Sequence, residues 1–254
     1  IRDGRYELRV TFCHANGGVG HQKMKYTCKD GSIQFDTAPS KAFSNALAAV
    51  YRDRGRTGRA MKIVEAGVKA DPADVQLKGL LAAMKWETEF RSGKMMGKPG
   101  RFLSPAMVAA KGSKTVDLAA CRWQCGTVGW HRAMAGGVLP VSAIKGQASA
   151  IRSHETIYPN GIWAHTSSKY GFTLGGQWTT LEVNVGILSG ATGAAVFRIL
   201  GDGKTLWKSP RVGEDQDVAV KVSVKGVKLI ELQTDSLGGK SGSWAVWMAP
   251  RLSR

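Results

Sequence analysis

Polar and apolar residues alternate along Arg5-Tyr-Glu-Leu-Arg-Val-Thr-Phe12, and again in parts of 22–28 and 32–35. In an extended chain every second side chain falls on the same side, so this period predicts a small β-ribbon over residues 1–38. Two or three short strands do not hold together alone in water, and the ribbon must lean on another element. From Pro39 the period becomes helical. Ser40 can cap a helix in which Phe43, Leu47, Val50 and Tyr51 share a face and which ends at Gly55. Ala60, Ile63, Val64 and Val68 mark a second helix. After Asp71-Pro72 a third runs through Leu77, Leu80, Leu81, Met84 and Trp86. This helical segment spans residues 39–92. Residues 93–116, rich in Gly, Ser, Pro and Lys, read as a linker with one helical turn at Pro105–Ala110.

Beyond Thr115 strand signals recur at short intervals. Trp178, Leu181, Val183, Val185 and Ile187 include a period-two set, and Ala194–Leu200 is more continuously apolar. Val218, Val220, Val222 and Val224 alternate with other residues, and Val227–Thr234 and Ser243–Leu252 follow. Leu174-Gly-Gly176, Gly201-Asp-Gly-Lys204 and Leu237-Gly-Gly-Lys240 supply turn chemistry between them. Short strands at such intervals predict a β-sandwich over residues 117–254, not a parallel α/β sheet. The fold class expected for the chain is mainly β, a sandwich preceded by a ribbon and a helical hairpin.

Two resemblances sharpen this. Leu47-Ala48, Tyr51, Gly55, Ala60, Val64, Gly67 and Pro72 resemble the small and large positions of a tetratricopeptide repeat over about 41–90, with Ser44 where a Trp is usual. One repeat cannot bury its own apolar face, so further repeats, another subunit or the second domain must cover it; an ordinary helical hairpin is the plain alternative. In the C-terminal half, Trp123, Val128-Gly-Trp130, Gly161-Ile-Trp-Ala-His165, Tyr170, Leu174-Gly-Gly176, Val196-Phe197, Gly201-Asp-Gly-Lys-Thr-Leu-Trp207, Val224-Lys-Gly-Val227 and Trp244-Ala-Val-Trp247 occur in order. Over residues 117–254 the chain resembles the NPCBM carbohydrate-binding module family. The resemblance implies a galactose-binding-like jelly-roll sandwich and non-catalytic glycan binding, usually appended to an enzyme or a cell-surface protein. Family members often carry acidic residues before the last strand. Here Lys240-Ser-Gly-Ser243 leads into Trp244, Val246 and Ala249 stand near positions that are often acidic, and Asp235 remains.

Composition limits the alternatives. The formal net charge of +17 is spread over both halves and favours acidic partners without naming one. A recognition helix, zinc finger or RNA-binding motif does not accompany it, so nucleic acid is not the expected partner. No run approaches the apolar length needed to span a bilayer. The chain starts at Ile1 and not at Met, consistent with a removed leader and a secreted, periplasmic or cell-surface location. Cys13 and Cys28 fall roughly opposite each other if Gly17–His21 is a ribbon tip, and could form a disulfide. Cys121-Arg-Trp-Gln-Cys125 has neither redox CxxC spacing nor a partner pair for zinc, and the chain shows no concentrated acidic loop for calcium; no metal or cofactor is expected.

For ligand chemistry, aromatic faces stack on the apolar C–H faces of sugars. Trp130, Trp163, Trp178, Trp207, Trp244 and Trp247 supply indoles to this half, though alternation puts some of them in the core. Trp163 and Trp244, near loop ends, are the candidates for exposure. His165 follows Trp163 by two residues and shares its side in a strand, although a satisfied structural histidine is the plainer reading; Asp235 is the polar candidate. Glycoside hydrolysis needs two facing carboxylates, whereas the acids here are scattered, and no G-x-S-x-G occurs. The expected function is therefore a non-catalytic carbohydrate-binding or adhesion protein that takes a glycan or polysaccharide through Trp163, His165, Asp235 and Trp244. The second reading is a scaffolding subunit whose sandwich and repeat-like helices contact other protein subunits.

Overall fold

The computed structural model describes residues 3–13, 19–30, 32–35, 57–91, 103–130, 133–139, 149–153, 156–214, 216–237 and 242–254. In chain order its elements begin with β1 (Gly4–Cys13), β2 (Val19–Lys29), β3 (Ser32–Phe35), α1 (Thr57–Ala70), α2 (Val75–Arg91) and α3 (Pro105–Ala110). Short strands follow: β4 (Thr115–Asp117), β5 (Cys125–Thr127), β6 (Ala135–Gly136), β7 (Val138–Leu139), β8 (Ser149–Ser153), β9 (Thr156–Tyr158) and β10 (Gly161–Trp163). The long strands are β11 (Ser168–Thr173), β12 (Thr180–Ile187), β13 (Ala195–Gly201), β14 (Lys204–Lys208), β15 (Asp217–Ser223), β16 (Leu229–Ser236) and β17 (Ala245–Ser253). Contacts group the chain into two units: residues 1–88, 138–150 and 155–159 form one, and 89–137, 151–154 and 160–254 the other.

In the first unit β1, β2 and β3 form an antiparallel meander, as the period-two pattern predicts. Helices α1 and α2 follow the second and third helical stretches of the sequence. Ile63 and Val64 of α1 and Leu77, Leu80, Met84 and Trp86 of α2 are buried, and Leu77, Leu80 and Met84 keep the i, i+3, i+7 spacing of an apolar stripe. The start of α2 falls at Val75 because the Asp74 carboxylate accepts the N–H of Leu77 at 3.0 Å, the work of an N-cap; Asp71 instead closes a turn onto the N–H of Ala73. The expected first helix, at 40–55, lies outside the described residues. Residues 138–150 and 155–159 join this unit although the sequence pattern runs them on with the sandwich. Gly79 of α2 explains part of this, since a Cβ there would stand 2.6 Å from the carbonyl oxygen of Ile157.

The register of the ribbon corrects the expected disulfide. Cys13 is opposite Val19 and Cys28 is opposite Gly4, at the other end of the pairing. At 3.4 Å per residue the two cysteines stand about 30 Å apart along the ribbon, whereas a disulfide spans about 4.4–6.8 Å between Cα atoms. Cys28 is a buried free thiol.

The second unit is an antiparallel sandwich. One sheet runs β15-β12-β17-β10-β6, with β4 on β17, and the other runs β14-β13-β16-β11-β5. Register identifies the inward faces. Val183, Val185 and Ile162 align across the first sheet with Val220 and Trp247, and Ile199, Leu232 and Tyr170 align across the second. All of these are buried, and the edge of Phe197 meets Trp247 at 5.1 Å between ring centroids, joining the layers. The expected linker is corrected in its described part. Leu103, Val108 and Ala109 are buried, Ser104 caps α3, and the Pro105 carbonyl accepts the Trp178 indole N–H at 3.3 Å. The final Arg254 secures the same corner, lying over the Trp178 ring and donating to the carbonyls of Ser113 and Ala109.

Turn chemistry is read correctly at Gly201–Lys204. Asp202 and Gly203 both have positive φ, 49° and 81°, as a two-residue turn between β13 and β14 requires. The Asp202 carboxylate accepts the backbone N–H groups of Leu229 and Lys228, and these bonds hold its pKa below the ordinary 3.8. Because the folded-state value is depressed, this contribution to stability is present above about pH 4 and fades as pH falls through the folded value. Asp202→Asn should accordingly flatten the acid limb of stability against pH, measured by urea denaturation between pH 5 and 2.5; an unchanged limb would remove this assignment. Trp247→Ala, which empties the contact between the layers, should cost about 3–5 kcal/mol in the same assay at neutral pH.

Candidate functional site

One end of the sandwich is organised around Tyr170. Its buried hydroxyl donates to the carbonyl of Trp163 at 2.6 Å and accepts the N–H of Met134 at 3.2 Å. Trp163 N–H in turn donates to the Met134 carbonyl at 3.0 Å, so three separate segments meet in one small hydrogen-bond ring. Burial pushes the Tyr170 phenol well above its usual range, which keeps it protonated and able to donate. The edge of Trp123 packs on the Tyr170 ring at 5.4 Å and completes the cover.

Trp163 lies opposite Val246, while its neighbour Ile162 lies opposite Trp247. Strand alternation thus turns Trp163 away from the core between the sheets, as a loop-end candidate for exposure requires. It is nevertheless fully buried. A further layer covers it: Trp130, His165 and Trp244 lie 6.4, 5.8 and 6.5 Å away between ring centroids, and its indole N–H donates to the Trp130 carbonyl at 3.3 Å. His165 is buried beside Trp163, with Nδ1 3.0 Å from the Thr166 carbonyl oxygen. Trp244 is half-buried. Trp130 is the outermost ring, 48% exposed.

Trp130 is held in place through its neighbour. Gly129 donates its N–H to the His165 carbonyl at 3.0 Å, and a Cβ on Gly129 would fall 1.8 Å from the Thr166 carbonyl oxygen. Only a residue without a side chain lets the two backbones approach this closely. On the other flank Gly193 N–H donates to Gly242 O, Leu188 N–H donates to Trp244 O, and Ala164 N–H donates to Ala245 O. These bonds tie the loops at 188–194 and 242–245 to the segment that follows β10.

Asp235 is not brought into this aromatic group. Its neighbour Thr234 points inward and donates to the Ala164 carbonyl, so the Asp235 side chain takes the outer face of the second sheet, where it pairs with Arg198 at 2.5 Å. Of the four residues singled out from the sequence, Trp163, His165 and Trp244 are therefore assembled and Asp235 stands apart. Trp130, the ring most open to solvent, was not among them. Its signal lay in Val128-Gly-Trp130, where a glycine immediately before a tryptophan marks a backbone brought against another segment. Among the described residues no group of three or more His, Cys, Asp or Glu is placed to hold a metal ion, and no helix is long and apolar enough to cross a membrane.

Two stacked antiparallel sheets, with an aromatic nest at one end, make this unit a β-sandwich. The chain belongs to the NPCBM/NEW2 domain family, whose pattern matches residues 114–253. It is similar to a protein of Renibacterium salmoninarum named "Putative endo-alpha-N-acetylgalactosaminidase", with 29% identity over 107 residues, 41% of this chain and 7% of that protein. The match thus spans only a small part of that relative's length. Among solved structures it is similar to a CBM51 module from Clostridium perfringens GH95 in complex with methyl-galactose, at 20% identity and TM-score 0.45, covering 55% of this chain and 99% of that one. It is also similar to the tandem CBM51 modules of a family 98 glycoside hydrolase from Streptococcus pneumoniae, at 19% identity and TM-score 0.45, covering 60% and 50%.

Gly129→Ala forces the two backbones apart. It should destabilise the sandwich by about 1–3 kcal/mol, the range for overpacking, in chemical denaturation. A variant as stable as the parent would show that the approach of Gly129 to Thr166 does not constrain this end.

Proposed function

We propose that residues 114–253 form a non-catalytic glycan-binding module in which Trp130 is the stacking platform. The observation that carries this reading is a half-exposed indole fixed on a buried aromatic base. Sugars offer an apolar C–H face to such a ring and polar hydroxyls around it, and a ring already held in place loses little freedom on binding. Trp244 borders the platform, while Trp163 and His165 act from behind it. Loop groups near Gly193 and Gly242, such as the exposed Thr192 hydroxyl, are suited to hydrogen-bond the sugar rim. Membership of the NPCBM/NEW2 family supports the assignment, and the similarity to a protein named for glycosidase activity fits a module that accompanies glycan chemistry. A secreted or surface-associated location agrees with that role.

The test is a broad glycan array on the full chain, followed by calorimetry on the best ligand. Trp130→Ala should weaken binding about tenfold or more, equivalent to about 1.4 kcal/mol, with a small change in melting temperature because the ring is half in solvent. If no glycan binds, or if Trp130→Ala binds like the parent, the reading fails, and the repeat-like helices and sandwich are better explained as contacts for other protein subunits.

A further inference from the structure

We propose, resting on the reading of Trp130 as a sugar platform, that the glycan site continues from Trp130 to Trp123 and takes a linear oligosaccharide, not a single terminal sugar. Both indoles are seated on one bonded pair. Trp130 packs on Trp163 at 6.4 Å between ring centroids, Trp123 meets Tyr170 at 5.4 Å, and the Tyr170 hydroxyl donates to the Trp163 carbonyl at 2.6 Å. The separation of the two rings is therefore fixed by the same buried hydrogen bond that orders the nest.

Trp123 is held from three directions. The Arg122 N–H donates to the Leu103 carbonyl at 3.0 Å, and the Gln124 N–H donates to the Gly171 carbonyl at 2.8 Å. The pyrrole edge of the indole lies over Gly126, where a Cβ would stand 2.8 Å from Nε1 and 3.0 Å from Cδ1. The ring is nevertheless only half-buried, and among the described residues no group accepts its N–H, which is not sealed from solvent. A donor left open at the rim of a fixed aromatic ring can bond a sugar hydroxyl while the ring covers C–H groups beside it.

The stretch between the indoles has matching chemistry. Gly126 is opposite Tyr170 on the edge strand β5, and alternation puts Val128 on the side of Gly126 over which Trp123 lies. Half-buried Val128 and Ala133 continue an apolar strip from Trp123 toward Trp130, with Ala133 Cβ 3.1 Å from where a Cβ on Gly126 would stand. Exposed Gln124 and Thr127 on the same stretch supply hydrogen-bonding groups. An apolar strip with polar margins suits the C–H faces and hydroxyl rims of linked sugars. From Gly126 to Trp130 the backbone covers at most about 14 Å at the rise of an extended chain, longer than one sugar ring and within reach of a short oligosaccharide.

The test probes the full chain with an array of matched mono- and trisaccharides of hexoses, N-acetylhexosamines and uronic acids. Calorimetry then follows on the tightest trisaccharide and on its terminal monosaccharide. The trisaccharide should bind about tenfold more tightly than the monosaccharide, the size of one added hydrogen bond and ring contact. Trp123→Phe keeps a ring on Tyr170 but removes the N–H. It should reduce that ratio to about threefold or less, with monosaccharide affinity within about twofold of the parent. Trp123→Ala should lower trisaccharide affinity further, whereas Trp130→Ala should weaken both lengths together. A parent that binds both lengths equally, or a ratio unchanged in both Trp123 variants, overturns the second contact and leaves the Trp130 platform standing. Equal loss of both lengths in the Trp123 variants marks a ring that only supports Tyr170, and also overturns it. Binding of no sugar at either length removes the Trp130 platform and this extension with it.

Discussion

The Tyr170 hydroxyl is the constraint on which the end of the sandwich depends. A buried phenol must satisfy its own donor and acceptor, and here both partners are backbone groups from different segments. Removing the oxygen would leave the N–H of Met134 and the carbonyl of Trp163 without that partner inside the protein, which costs more than the bond itself contributes in an exposed setting. The tyrosine therefore does more than fill the core. It sets where the chain leaves β10 and where the segment ahead of β6 must lie, and so determines where Trp163 is held and what can cover it.

From that anchor the aromatic nest is built by close backbone contacts, with glycine at the tightest points. Gly129 meets Thr166, and Gly193 meets Gly242 and Ser243, at distances that leave no room for a Cβ. The loops consequently touch through peptide groups, which have fewer internal freedoms than long side chains. A recognition surface made this way is prearranged. Its outermost ring changes little in position when a ligand arrives, and the ordering cost that weakens many loop-borne sites is reduced in advance.

Much of the fold was legible because its signals are local. Period-two stretches locate the long strands, and Asp202-Gly203 identifies its turn because few residues accept positive φ. Helices α1 and α2 follow their apolar stripes. The readings that failed depended on register or on a further layer. The cysteine pairing rested on an assumed ribbon tip, and a shift of a few residues in the turn moves a pair from opposite positions to opposite ends. Residues 103–116 resemble a linker in composition, and the turn expected at Pro105–Ala110 is present as α3; what composition does not reveal is that Leu103, Val108 and Ala109 are buried. Trp163, expected to be exposed because it lies near a loop end, does turn away from the inter-sheet core but is buried. Nearness to a loop end could not show that Trp130, 33 positions earlier in the chain, folds over it.

The contrast among the indoles has a spectroscopic consequence. Trp163, Trp178 and Trp247 are wholly shielded from water, whereas Trp130 is about half exposed. Shielded indoles emit toward the blue and are little affected by aqueous quenchers; an exposed one emits toward the red and is readily quenched. With Trp123, Trp207 and Trp244 partly accessible, Trp130 is the most responsive indole against a shielded background, so a ligand seated there would register as a partial loss of quenching without any label being attached.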